Sequence, residues 1–177
     1  STAARMLWNV FMRGDIEGKL VADLGTGNGI LAIGAGALGA SFVVGVDLDP
    51  EAIRDAKENL KRVSTLLGRT PNVEFMTADL TALKGEFDIV LMNPPFGMVS
   101  RHADVKFITK GLEISSRVYV IHQIESHNFY ASLARDLDCQ LSLLDEFYFP
   151  IKMTFSRHKK RIYRFKAGLW VFTRKKG

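Results

Sequence analysis

Short apolar runs, unbroken rather than alternating, recur along this chain between stretches of helical periodicity, and few folds accept that pattern. Lys19 to Leu24, Phe42 to Val46, Val73 to Met76 and Phe87 to Met92 are such runs. A strand that is apolar on both faces must be covered on both, as in a parallel sheet with helices above and below. The covering helices are legible between the runs. Ile30, Leu31, Ile33, Ala35 and Leu38 are expected to pack inward after the first run, and Ile53, Ala56 and Leu60 after the second, where Asp49 suits an N-cap and Pro50 the first helical position. Met6, Leu7, Val10 and Phe11 predict an N-terminal helix within residues 1–14, with Ser1 or Thr2 as cap.

The alternation continues with helical spacing at Val105, Ile108 and Leu112, a strand over Val118 to Ile121, and helical spacing at Phe129, Leu133 and Leu137. Then it changes. Leu141 to Phe149 and Gly168 to Thr173 read as strands joined by a basic loop over 150–166, a pair that closes the sheet antiparallel. The aromatic stretch Phe147-Tyr148-Phe149 is expected in the core, and Asp145 and Glu146 on one exposed side. About seven strands in 177 residues, without internal repeats or linkers, give a single α/β domain over 1–177. No run approaches the roughly 18 apolar residues that span a bilayer, and no secretory pattern is present. The single cysteine, Cys139, sits among apolar residues and is expected in the core; a chain with one cysteine fits a reducing, cytoplasmic setting.

Charge is unevenly spread. Residues 150–177 hold ten Lys or Arg and no acid, which leaves 14 basic against 19 acidic residues in 1–149. Lys152, Arg157, His158, Lys159, Lys160, Arg161 and Arg164 interleave with Phe155, Tyr163 and Phe165. A solvated hairpin loop would look like this. A contact for a polyanion accounts better for that much uncompensated charge, and RNA is the partner such a segment suits. Each phosphate neutralised on a single strand should then contribute about −0.7 to the salt slope of binding.

The polar residues that end the strands carry the chemistry. Asp23-Leu24-Gly25-Thr26-Gly27-Asn28-Gly29 places three glycines where the first strand turns into a helix, so a ligand can approach the backbone. The spacing is G-x-G-x-G rather than the G-x-G-x-x-G of dinucleotide sites, and the carboxylate of Asp23 would repel a pyrophosphate but suit an amine or sulfonium. Asp47 ends the second strand, placed to accept from a ribose diol; Asp79 follows the third, placed to accept from an adenine amino group. Singly, each aspartate also suits a helix cap or turn. Together they outline a pocket for an adenosine with a cationic, amino-acid-like group. The fourth run stops at Asn93-Pro94-Pro95-Phe96, since two prolines continue neither sheet nor helix, and this stiff turn presents an amide and an aromatic ring beyond a strand end. His102, His122 and His127 lack partners at metal spacing and read as surface or helix-end residues, so no metal is expected.

These motifs make the chain resemble, over nearly its whole length, the class I (Rossmann-like) S-adenosylmethionine-dependent methyltransferases. Ala3-Ala4-Arg5-Met6-Leu7, Val21-Ala22-Asp23-Leu24-Gly25, Met92-Asn93-Pro94-Pro95-Phe96-Gly97 and His158-Lys159-Lys160 are similar to a narrower group, the archaeal and eukaryotic small-subunit ribosomal RNA adenine-N6 methyltransferases of the methyltransferase-like five type. The resemblance implies a seven-stranded sheet of order 3-2-1-4-5-7-6 with strand seven antiparallel. It implies an S-adenosylmethionine site made of Asp23, Gly25 to Gly29, Asp47, Leu48, Asp79 and Leu80. Asn93 and Pro94 would hold the target amino group and Phe96 would stack on the base. It also implies a small zinc-binding activator protein as partner. Guanine-N2 methylation of RNA and a non-catalytic RNA-binding role for the same fold are the alternatives.

Overall fold

The computed structural model describes residues 1–94, 101–153 and 161–175. Its strands are β1 (Leu20–Leu24), β2 (Phe42–Asp47), β3 (Val73–Thr77), β4 (Ile89–Met92), β5 (Arg117–Gln123), β6 (Cys139–Met153) and β7 (Arg161–Arg174). The helices are α1 (Thr2–Met12), α2 (Ile30–Ala37), α3 (Pro50–Leu67), α4 (Arg101–Ile114) and α5 (His127–Asp136). All seven strands join one sheet in the order β3-β2-β1-β4-β5-β7-β6. The first five run parallel, and β7 lies antiparallel between β5 and β6.

Successive residues of each strand feed two separate cores, as the two-residue period requires. Val21, Ile89, Leu91, Tyr119 and Val171 pack with α1, α2 and α3 on one face. Ala22, Val90, Met92, Val118, Val120 and Trp170 pack with α4 and α5 on the other. The caps agree with the sequence reading: Ser1 accepts from Ala4 N at 3.3 Å, and Asp49 caps α3 by accepting from Glu51 N at 2.9 Å with Pro50 following. Cys139 is buried.

Several expectations change. β4 begins at Ile89 rather than Phe87, because Asp88 turns its carboxylate to Leu20 N at 2.8 Å and Phe87 only bridges to Ser115. Ile30 and Leu38, at the two ends of α2, do not pack inward but lie exposed, while Leu31, Ile33 and Ala35 between them are buried as expected. Phe147 is in the core but Tyr148 is 67% exposed, the alternation of a strand overriding a uniformly aromatic stretch; Phe149 carries no side-chain description. Asp145 and Glu146 do not form one exposed side. Asp145, just past the register shift between it and Leu143, accepts from Arg5 of α1 at 3.0 Å, whereas Glu146 pairs with Lys166 of β7.

The basic loop is shorter than 150–166, because strand pairing continues to Met153↔Arg161. The β5–β7 ladder ends at Gln123↔Ala167, so six further β6–β7 pairs, Tyr148↔Lys166 to Met153↔Arg161, project past the C-terminal end of β5. At about 3.3 Å per residue this ribbon extends roughly 20 Å beyond the edge where the parallel strands end.

Candidate active site

At that edge a cleft of about 390 Å³ is lined by Gly25, Val46, Asp47, Leu48, Ala78, Asp79, Leu80, Pro94, Ala103, Lys106 and Phe107. Its floor is the glycine turn. Gly25 has φ +73°, and a Cβ there would stand 3.3 Å from the Phe107 ring, so this residue keeps the cleft open. Gly25 N and Thr26 N both donate to Val46 O at 2.9 Å, tying the turn to the end of β2. Gly27 N donates to Asp47 Oδ2 at 2.8 Å, and Asp49 N to Asp47 Oδ1 at 3.0 Å. Each carboxylate oxygen of Asp47 retains a second lone pair for a hydroxyl.

Asp23 does not line the cleft. It is buried behind the turn, where its Oδ2 accepts from Thr26 Oγ1 at 2.6 Å and Ala32 N at 3.2 Å, so it holds the loop to the start of α2. Its Oδ1 has no hydrogen-bond partner among the described residues. Burial pushes the carboxyl up to about 6 against the pull of those two hydrogen bonds, and the nearby Asp47 carboxylate adds to the rise. Asp79 shows the opposite behaviour. It accepts from Thr81 Oγ1 at 2.7 Å and Thr81 N at 2.8 Å and pairs with Lys106 Nζ at 3.2 Å, which together hold it down at about 2. Asp79 is therefore a carboxylate at any working pH.

Of the residues expected to hold a cofactor, Gly25, Asp47, Leu48, Asp79 and Leu80 come together around the cleft. Asp23, Thr26, Gly27, Asn28 and Gly29 stand behind or beside it. Asn28 O accepts from Asn59 of α3, and Gly29, at φ +80°, begins α2. Asn93 is half-buried directly after β4, with Pro94 in the cleft wall. Pro95 and Phe96 lie outside the described residues, as do Arg157, His158, Lys159 and Lys160. Lys152, Arg161 and Arg164 lie on the projecting ribbon.

The α4 wall, made of Ala103, Lys106 and Phe107, was not legible; its only signal is that the helix follows the prolines. His122 also departs from expectation. Its side chain is 13% exposed, with Nε2 3.5 Å from Asp104 Oδ2 and Nδ1 2.8 Å from Ser126 Oγ. Among the described residues no three His, Cys, Asp or Glu converge to hold a metal, and no helix is long and apolar enough to cross a membrane.

The donor set fits S-adenosylmethionine. Two carboxylates stand ready for hydroxyl and amino donors, a buried oxygen of Asp23 that has no hydrogen-bond partner among the described residues favours positive charge nearby, and a Cβ at Gly25 would crowd the space. A sheet of this order with this cleft defines a class I S-adenosylmethionine-dependent methyltransferase. Comparisons with known proteins agree. The family model described as Ribosomal protein L11 methyltransferase (PrmA) matches residues 6–99, the half that builds the cleft floor. The rRNA N(6)-adenosine-methyltransferase Mettl5 of Drosophila melanogaster is 34% identical over 167 residues, which is 89% of this chain and 75% of that protein. A Pyrococcus horikoshii crystal structure, described as a candidate RNA methyltransferase, superposes with a TM-score of 0.80 at 34% identity, covering 98% of this chain and 83% of that one. The magnesium protoporphyrin IX methyltransferase of Synechocystis, solved with bound SAM, shares the fold at TM-score 0.74 and 18% identity, over 97% of this chain and 78% of that one. The chain belongs to the methyltransferase family of Mettl5.

Proposed function

We propose that the protein methylates the N6 amino group of an adenine in ribosomal RNA. The observation that carries this reading is the position of Asn93 and Pro94, which follow β4 at the catalytic edge, with Pro94 sharing the cleft wall with Gly25, Asp47 and Asp79. Relatives named for rRNA N6-adenosine methylation, 31–34% identical over most of this chain, support adenine as the base and RNA as the substrate.

The chemistry asks little of the protein beyond position and charge. Bound S-adenosylmethionine supplies an electrophilic methyl group. In this reading Asp47 takes the ribose hydroxyls and Asp79 and Leu80 the adenine, while Asp23 keeps the glycine turn in place. The exocyclic nitrogen of the target is a poor nucleophile because its lone pair is delocalised into the ring. The Asn93 side-chain oxygen and the Pro94 carbonyl accept its two hydrogens, which localises that lone pair, and they stabilise the positive charge that develops on nitrogen. Acceptors fixed in advance are worth on the order of 3 kcal/mol each in comparable sites. Phe96 stacks on the extruded base, a contact of about 1 to 3 kcal/mol. The product ammonium is acidic and loses its proton to water, so no general base is required.

The ribbon of β6 and β7 suits RNA docking: Lys152, Arg161 and Arg164 lie on strands that stand beyond the catalytic edge, and Arg157 to Lys160 fall between them in sequence. A small zinc-binding activator and a cytoplasmic setting belong to the same proposal; co-purification with such a partner tests the first.

The deciding experiment is methyl transfer to unmodified small-subunit rRNA followed by nucleoside analysis, with Asn93→Ala alongside. N6-methyladenosine is expected, with turnover in the variant lower by a hundredfold or more, on the order of one such acceptor, and S-adenosylmethionine affinity retained. Full activity in Asn93→Ala would sink the mechanism, and N2-methylguanosine would sink the choice of base.

A further inference from the structure

The strongest feature outside this machinery is the polar cluster under α4. Asp104 in the first turn of α4 is buried, 3.5 Å from His122 Nε2, and His122 is held in turn by Ser126 at 2.8 Å and by the Tyr130 ring at a centroid distance of 5.9 Å. Burial pushes the Asp104 carboxyl up, and the facing imidazole pulls it down. A core otherwise built from Trp170, Phe172, Ile108 and Val120 has no packing need for a carboxylate.

Its place in the fold supplies a reason. Met92 of β4 pairs with Val120 of β5 in parallel register, so Pro94 and His122, each two residues on, stand at one level at the ends of neighbouring strands. The downstream half of α4 is located by close packing: a Cβ on Gly111 would stand 2.7 Å from Val118 and 3.0 Å from Met92. The upstream half packs on the same core through Val105 and Phe107, which are only partly buried. It presents Ala103, Lys106 and Phe107 to the cleft and is tied on its buried side by Asp104 to His122. The other ion pair there, Lys106 to Asp79, is half-exposed and worth little as an anchor.

We infer that Asp104 and His122 are positioning residues: their pair seats the first turns of α4 on β5, and so sets the α4 wall of the cofactor cleft level with Pro94. Neither touches the reacting atoms. The inference rests on the cleft being the S-adenosylmethionine site, and the test separates the two.

The test measures S-adenosylmethionine affinity by calorimetry and steady-state kcat, each well below the unfolding temperature, for His122→Ala, His122→Gln, Asp104→Asn and the double variant Asp104→Asn/His122→Gln. Ile16→Val, in the distant core, serves as a variant lowered in stability only. His122→Ala removes the imidazole that faces the buried Asp104 carboxylate at 3.5 Å, so its cofactor Kd should rise about tenfold with a fall in kcat, the scale of a buried polar group left without its partner. The double variant replaces the ion pair by two facing neutral amides, leaving no charge to bury, and should return both values to within about threefold of wild type. If His122→Ala does not fold, His122→Gln carries the comparison with the double variant. Kd and kcat within twofold of wild type in the single variants, with only the unfolding temperature lowered as in Ile16→Val, would overturn the inference. Failure of the wild type to bind S-adenosylmethionine would instead overturn the reading of the cleft beneath it.

Discussion

Replacing Asp23 by Asn should stabilise the ligand-free protein while weakening its hold on the cofactor. Asp23 is 1% exposed and one of its oxygens has no hydrogen-bond partner among the described residues. Burial raises it from an ordinary 3.8 to about 6, which corresponds to roughly 3 kcal/mol at pH 7. The sign follows from which state gives up its proton first. Below pH 3.8 the carboxyl is protonated whether the chain is folded or not, and no cost is incurred. Between 3.8 and about 6 the unfolded chain ionises first, so stability is lost as pH rises, and above about 6 the loss is complete. An asparagine can still accept from Thr26 Oγ1 and Ala32 N and carries no charge to bury, while its amide N–H groups, facing the side where Oδ1 has no partner among the described residues, offset part of the gain equally at every pH. Urea unfolding from pH 4 to 8 should therefore show wild type losing up to about 3 kcal/mol more than Asp23→Asn across that window. For a chain of this size that is roughly 6 to 12 °C in Tm at pH 7. Saturating S-adenosylmethionine should narrow the gap, since a cationic ligand beside the turn offsets the buried charge. Parallel stability curves for the two proteins from pH 4 to 7 would refute the reasoning.

Two further substitutions probe the frame around the site. Gly29→Ala puts a Cβ 2.6 Å from Phe75 and 2.9 Å from Ala56 at φ +80°, whereas Gly68→Ala, at φ +66°, meets nothing within 4 Å; denaturant unfolding should show the first losing about 2 to 3 kcal/mol and the second only about 1. Arg117 Nη1 donates to both oxygens of the buried Asp15 at 2.7 Å, and Tyr119 donates its hydroxyl to the same carboxylate. Arg117→Met should cost about 2 kcal/mol by leaving that charge short of its partner, moderated by the 40% exposure of the arginine side chain, and the double variant with Asp15→Asn should recover most of it in the same assay.

What could be read from the sequence, and what could not, divides by the distance over which each feature is determined. Asp47 ends β2 and Asp79 stands two residues beyond β3, each delivered to the cleft edge of the sheet by the strand before it, and a parallel sheet aligns such ends without further instruction. The local pattern suffices there. The strand order drew on resemblance, because seven apolar runs do not state which neighbours they choose. The ends of β6 and β7 were hidden for a different reason: over Pro150 to Met153 and Arg161 to Lys166 the β6–β7 pairing continues past the last β5 pair, and the sequence there is rich in Lys and Arg, so paired strands read as a charged loop. The pairs that join distant elements lie further apart still, Arg5 with Asp145, Arg117 with Asp15, His122 with Asp104. In sequence each member is an ordinary surface charge or a strand-end histidine, and its role exists only once the sheet has formed. Asp23 belongs to both groups. Its position before the glycine turn is local and marks the cofactor loop, but its effect is not the direct contact that the spacing suggested. The carboxylate acts from behind, by holding Thr26 and Ala32 at the cost of a buried charge, and that cost arises from the layers of β1, α2 and β2 that enclose it.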